Sequence, residues 1–219
     1  MNFLNLTILK NLDLLKITSG IIVFFYSIYI LQYHYDGHHI GLMYSNALDF
    51  NKGKLPYKEI FIQYGFLTTL IHSFILDLSH NKIFFLNVST IFFYIFSVFL
   101  ISETVKNFTD RWYGFLCFCI LLANHPVPWL PWSNYIAFFF ISLGIYLLSK
   151  ENKSLYLIGL IFSFAVLSRQ DYLVGIFASI FCFLFFQSFK KIKIYSINIL
   201  KLILGFFLPI VVFILFLKY

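Results

Sequence analysis

The side chains able to do chemistry are concentrated in one stretch: Asp36, His38, His39, Asp49, Lys58, Glu59, Gln63 and Tyr64 all fall between residues 34 and 82. Asp36 directly follows an apolar run, and a carboxylate at the edge of hydrocarbon is costly unless it is hydrated, paired or working. Two roles fit it equally. It orients or deprotonates a bound hydroxyl, as a positioned carboxylate does in group transfer, or it caps a helix through the His38 and His39 amides. Two histidines beside an acid invite a metal, but successive side chains on a helix point about 100° apart and no fourth ligand is present. Neither metal nor cofactor is therefore expected. Asp49, Lys58 and Glu59 are of a kind that more often forms a solvated interface than a catalytic group. Gln63 and Tyr64 interrupt an apolar face, where they either hydrogen-bond a polar substrate or sit at headgroup depth.

A second short segment, Ser168-Arg169-Gln170-Asp171, adds a cation. Only two of the 16 basic residues are arginine, the rest being lysine. An arginine at a membrane edge offers a planar guanidinium that a phosphate engages bidentately. The equally weighted alternative is a local Arg169–Asp171 pair ending a helix.

The elements that hold these residues follow from periodicity. In 38–52, Ile40, Met43, Tyr44, Ala47 and Phe50 form an apolar stripe at steps of three and four, while His38, Ser45, Asp49 and Lys52 share another face. Gly53 stands where a helix C-cap would, and Pro56 blocks continuation. An amphipathic helix ending in a rigid turn is expected, delivering Tyr57, Lys58 and Glu59 to the start of a second surface helix.

Around this loop the chain is too apolar to be a soluble domain. Hydrophobic residues make up 61% of the 219 and charged residues 11%, against about half and a quarter in soluble proteins. A chain of this size buries only about 70% of its surface on folding, so lipid must solvate the remainder. The net charge of +7 comes from lysines clustered between apolar runs, the pattern of cytoplasmic loops, and nucleic acid is not an expected partner. The three cysteines lie inside apolar runs and read as small hydrophobes. Runs near the length of a span, about 20 residues, are Ile17–Tyr33, Ile83–Ser102, Trp112–Asn124 with its flanks, Ser133–Ser149, the short Ser154–Ser168, Asp171–Phe189 and Ile197–Leu217. Ile60–Leu78 is apolar enough to be an eighth.

Charge placement decides that case. With Ile60–Leu78 on the surface and the N-terminus cytoplasmic, the inner loops hold Lys10, Lys16, Lys106, Arg111, Lys150, Lys153, Lys190, Lys191, Lys193 and Lys201, ten of the 16 basic residues. The outer loops hold Lys52, Lys54, Lys58, Lys82 and Arg169. If Ile60–Leu78 crossed, every later cluster would change side and the bias would vanish. The expectation is an all-α, polytopic transmembrane bundle of about seven spans forming one domain over 1–219. Two juxtamembrane helices lie in a first extracytoplasmic loop at 34–82, and the C-terminus is outside.

An Asp after the first span, the run A-L-D-x-x-x-G-K-x-P-Y-K-E and then Q-Y-G-x-L-T together resemble the GT-C superfamily of multi-spanning glycosyltransferases, which includes aminoarabinose and mannosyl transferases and uncharacterised bacterial relatives. The matching residues are Asp36, Ala47, Asp49, Gly53, Pro56, Tyr57, Glu59, Gln63, Tyr64, Gly65 and Leu67. The resemblance implies Asp36 as the catalytic acid-base residue acting on an extracytoplasmic acceptor, with a sugar on a polyprenyl phosphate as donor. His38, His39, Asp49, Lys58, Glu59, Gln63, Tyr64, Arg169 and Gln170 would line the substrate site. It also implies a bacterial inner-membrane location and a longer parent protein, of which this chain is an N-terminal fragment. The second outer loop, His125 to Trp132, lacks the acidic motif that many such enzymes carry there; its polar candidates are His125 and Asn134. Its prolines and tryptophans alone would make a stiff interfacial anchor.

Two other classes compete. One is a lipid-linked substrate binder or transporter, although transporters place ionisable groups near mid-membrane and here they gather at one surface. The other is a non-catalytic, truncated membrane protein.

Overall fold

The computed structural model describes residues 3–31, 33, 37–124, 129–151, 153–176 and 192–218, with side chains from 11 onward in the first segment and from 199 onward in the last. The protein is all-helical, with no strand among the described residues. Its helices are α1 (Phe3–Ile30), α2 (Gly37–Asn51), α3 (Phe66–Leu78), α4 (Phe84–Phe108), α5 (Arg111–Ala123), α6 (Ser133–Leu148), α7 (Leu155–Ser168) and α8 (Ile192–Lys218). Residues 172–176 are also helical; most of the expected Asp171–Phe189 span lies outside the described residues.

Three helical stretches among the described residues are long and apolar enough to cross a membrane: Asn11–Ile30, Phe84–Phe108 and Ile199–Lys218. α3, α5, α6 and α7 are apolar but shorter, at 13 to 16 residues, or about 20 to 24 Å at 1.5 Å per residue. The outer surface favours lipid over water. Ile22, Phe25, Val212 and Ile214 are each more than half exposed on α1 and α8, a larger apolar face than soluble monomers present. Several hydroxyls inside the bundle bond within their own helices, as Thr90 to the Leu86 carbonyl, Ser97 to Phe93 and Thr104 to Leu100, while Ser102 reaches across to the Gly114 carbonyl of α5. Such internal bonding suits an interior where no water can serve.

The helices pack in the series α1/α5, α4, α6, α7, α8, and α3 bridges α2, α4 and α7. α4 and α6 run parallel. Tyr94 meets Tyr135 and Phe138 near one end, and Asn107 donates to Ser149 at the other. α7 returns antiparallel to α6, so that Arg169, just past its end, reaches Asn134 in the first turn of α6. The bundle therefore has a capped end, carrying α2 and α3, and a charged end. α3 stays at the capped end. Thr68 in its first turn bonds the Ser168 carbonyl, while Leu76 in its last packs with Ala47 of α2 and Leu86 of α4. The crossing of α7 and α8 is backbone on backbone. A Cβ on Gly159 would overlap the Leu202 carbonyl, and one on Gly205 the Tyr156 carbonyl. Small residues permit this approach where helices must associate without a hydrophobic driving force.

The charged end departs from the sequence expectation. Lys16, counted above as a loop cation, is 3% exposed. Its Nζ lies 2.6 Å from Glu103 and 3.4 Å from Asp13. Lys106 joins both acids at 2.9 and 3.7 Å, and Arg111 approaches Asp13 at 3.9 Å. A cation this deep needs partners, and α1 and α4 supply them. Asp110 caps α5 through the Trp112 and Tyr113 amides.

Candidate functional site

The amphipathic pattern of α2 holds. Ile40, Met43 and Ala47 are buried, His38, Ser45 and Lys52 are exposed, and the helix ends at Gly53 with φ +84°. The second surface helix begins later than expected, at Phe66. Tyr57 adopts φ +61°, which no helix accommodates, and residues 54–65 close instead into a compact loop. Glu59 accepts from the Leu55 amide at 2.8 Å, and the Tyr57 hydroxyl donates to the Tyr64 carbonyl at 3.1 Å. Partial burial pushes the Tyr57 phenol up, keeping it a donor. Lys58, Glu59, Gln63 and Tyr64 are thus loop residues rather than helical ones.

That loop ends by docking onto α7. The Gly65 amide donates to the Ser168 carbonyl at 3.1 Å and Thr68 Oγ1 to the same oxygen at 2.9 Å. Gly65 fits because a Cβ there would overlap the Leu167 carbonyl and the Ser168 backbone. The docking sets the Tyr64 ring beneath Arg169, with Cζ 5.0 Å from the ring centroid. Arg169 Nη1 donates to Asn134 Oδ1, and Nε and Nη2 lie 3.0 and 2.8 Å from Asp171 Oδ2. Q-Y-G-F-L-T and S-R-Q-D, about a hundred residues apart in the chain, thereby form one shelf at the capped end.

His39 reaches the same α6 terminus, its ring 5.1 Å from Trp132 and also 5.1 Å from His38. The other expected residues stand apart. Asp49 pairs with Lys54 at 3.0 Å and Lys52 at 3.9 Å, and Glu59 serves its own loop. Lys58, Gln63 and Gln170 are exposed. Asp36 and His125 lie outside the described residues. Asn134, a polar candidate of the second outer loop, and Asp171, the expected local partner of Arg169, both belong to the shelf. Beside Tyr64 an apolar groove of about 480 Å³ runs between α3, α7 and α8, lined by Phe66, Leu70, Leu167, Leu208, Val212 and Phe213. Under α3, His72 is buried and its pKa pushed down to about 4 by that burial, with Nδ1 lacking a hydrogen bond among the described residues.

The described residues hold no cluster of three or more His, Cys, Asp or Glu able to ligate a metal. The shelf brings together an arginine whose Nε/Nη2 edge is closed by Asp171, the Asn134 and Tyr64 side chains, and an apolar groove beside them. No protein-family model, no curated protein and no solved structure matches this chain.

Proposed function

We propose that the protein is a GT-C-like membrane glycosyltransferase, moving a sugar from a polyprenyl-phosphate donor to an extracytoplasmic acceptor. The observation that carries this reading is the shelf itself. The two segments singled out by the resemblance meet at one end of the bundle, beside an apolar groove suited to a prenyl chain. In this reading Asp36 takes the proton from the acceptor hydroxyl as that oxygen attacks the sugar's anomeric carbon. The bond to the phosphate oxygen breaks, and Arg169 meets the charge that develops on the departing polyprenyl phosphate. In this reading α1, α4, α5, α6, α7 and α8 cross the membrane together with the Asp171–Phe189 run expected from the sequence, most of which lies outside the described residues, and the charged end is cytoplasmic with α2 and α3 on the outer leaflet. Lys16, Lys106, Arg111 and the Asn107–Ser149 contact share the charged end, which agrees with the positive-inside bias.

The test incubates membranes containing the full chain with a panel of polyprenyl-phosphate-linked sugars and follows release of polyprenyl phosphate. Asp36→Asn is expected to lower turnover by about 10²-fold or more; undiminished turnover would remove Asp36 from the reaction. A second reading, a lipid-linked substrate binder without chemistry, draws on the apolar groove, which would hold a prenyl chain whether or not a reaction follows. Binding of polyprenyl phosphates without any turnover would favour it.

A further inference from the structure

The guanidinium of Arg169 has a fixed side and a replaceable side. On the fixed side, Asn134 takes Nη1 and the Tyr64 ring supports the flat face, and the side chain is only 23% exposed. On the other, Nε and Nη2 present the edge that a phosphate uses. One oxygen of Asp171, Oδ2, bridges both of those donors, whereas fork-to-fork pairing would use both oxygens of the carboxylate in two parallel bonds. The Asp171 side chain is 62% exposed. A partner bound through one oxygen, with the rest of its carboxylate in solvent, is easily exchanged. We infer that Asp171 is an internal stand-in anion that closes the Nε/Nη2 edge of Arg169 and is displaced when a phosphate monoester binds there.

This inference rests on the reading of Arg169 as a phosphate-binding residue and adds a competitor to it. Any ligand must exceed the local carboxylate, so weak anions are excluded while a phosphate tethered by a chain in the neighbouring groove is admitted. The experiment measures binding of a fifteen-carbon isoprenyl monophosphate, and separately of inorganic phosphate, to the full chain in detergent micelles by titration calorimetry. Asp171→Asn is expected to bind the isoprenyl monophosphate about two- to fivefold tighter than the parent, the range an exposed ion pair is worth, while Asp171→Glu stays near the parent. Arg169→Gln should weaken binding and abolish the gain when combined with Asp171→Asn. If Asp171→Asn binds no tighter while Arg169→Gln loses binding, the stand-in role is overturned and the phosphate site survives. If Arg169→Gln binds like the parent, the phosphate reading itself falls. A gain that extends to inorganic phosphate identifies the phosphate group alone as sufficient; one confined to the isoprenyl monophosphate assigns the ligand to a lipid headgroup. Both support the displacement.

Discussion

Replacing Gly65 by alanine attacks the contact on which the shelf is built. The added methyl would overlap the Leu167 carbonyl and the Ser168 backbone, and backbone cannot rotate away as a side chain would. The α3–α7 joint must then open. Two hydrogen bonds to the Ser168 carbonyl are lost, at about 1 kcal/mol each, and residual overpacking adds about 1–3 kcal/mol. The total is about 3–5 kcal/mol, equivalent to roughly 6–20 °C in melting temperature for a chain of this size. The assay is thermal unfolding in detergent followed by circular dichroism. Gly41→Ala serves as control: a Cβ at Gly41 meets nothing within 4 Å, and alanine is the better helix former by about 1 kcal/mol, so its melting temperature should hold or rise. Thr68→Val isolates the hydroxyl bond and should cost about 1 kcal/mol. A Gly65→Ala protein that melts with the parent would mean that α3 does not sit against α7 in this way. The account of Tyr64 under Arg169 would then fail with it.

At the charged end, Glu103→Ala leaves the buried Lys16 with Asp13 and the Ser102 hydroxyl as partners and is expected to cost about 3 kcal/mol. The double variant Lys16→Met/Glu103→Leu should recover most of that loss; simply additive losses in thermal unfolding would disprove the pairing. His72 folds neutral with a pKa of about 4 against 6.5 when free, so the unfolded chain binds the proton first. Stability should therefore fall as pH drops below 6.5, by about 2 kcal/mol at pH 5, and level off below 4 at about 3 kcal/mol. His72→Leu should flatten that slope between pH 7.5 and 5, and an unchanged slope would place the titrating group elsewhere.

What was legible in the sequence was what depends on neighbours along the chain. The apolar stripe of α2 and its stop at Gly53 follow from local spacing, and α2 forms where the pattern puts it. The start of α3 was not legible, because residues 60–65 are apolar enough for a helix. They are drawn out of one by Tyr57 at positive φ and by a hydrogen bond to Ser168, about a hundred residues away. Lys16 illustrates the same limit. Its spacing marks a helix end near water, and only the arrival of Glu103 from α4 makes it a buried cation. For Arg169 the sequence left a phosphate and a local pair equally open, and the folded chain holds the Asp171 pair. Asp36, on which the catalytic expectation centres, falls outside the described residues.

The crossing of α7 over α8 bears on how the shelf can move. At Gly159 and Gly205 main chain rests on main chain, so no rotamer change can loosen that joint or let one helix slide past the other. Arg169, carried just beyond α7, is in effect mounted on a two-helix post. Movement of the shelf then falls to the other jaw, the loop 54–65 and α3, held to the post by two hydrogen bonds to one carbonyl oxygen, by the Tyr64–Arg169 contact and by the rings of Tyr57 and Phe66 packed on Phe213 and Phe216.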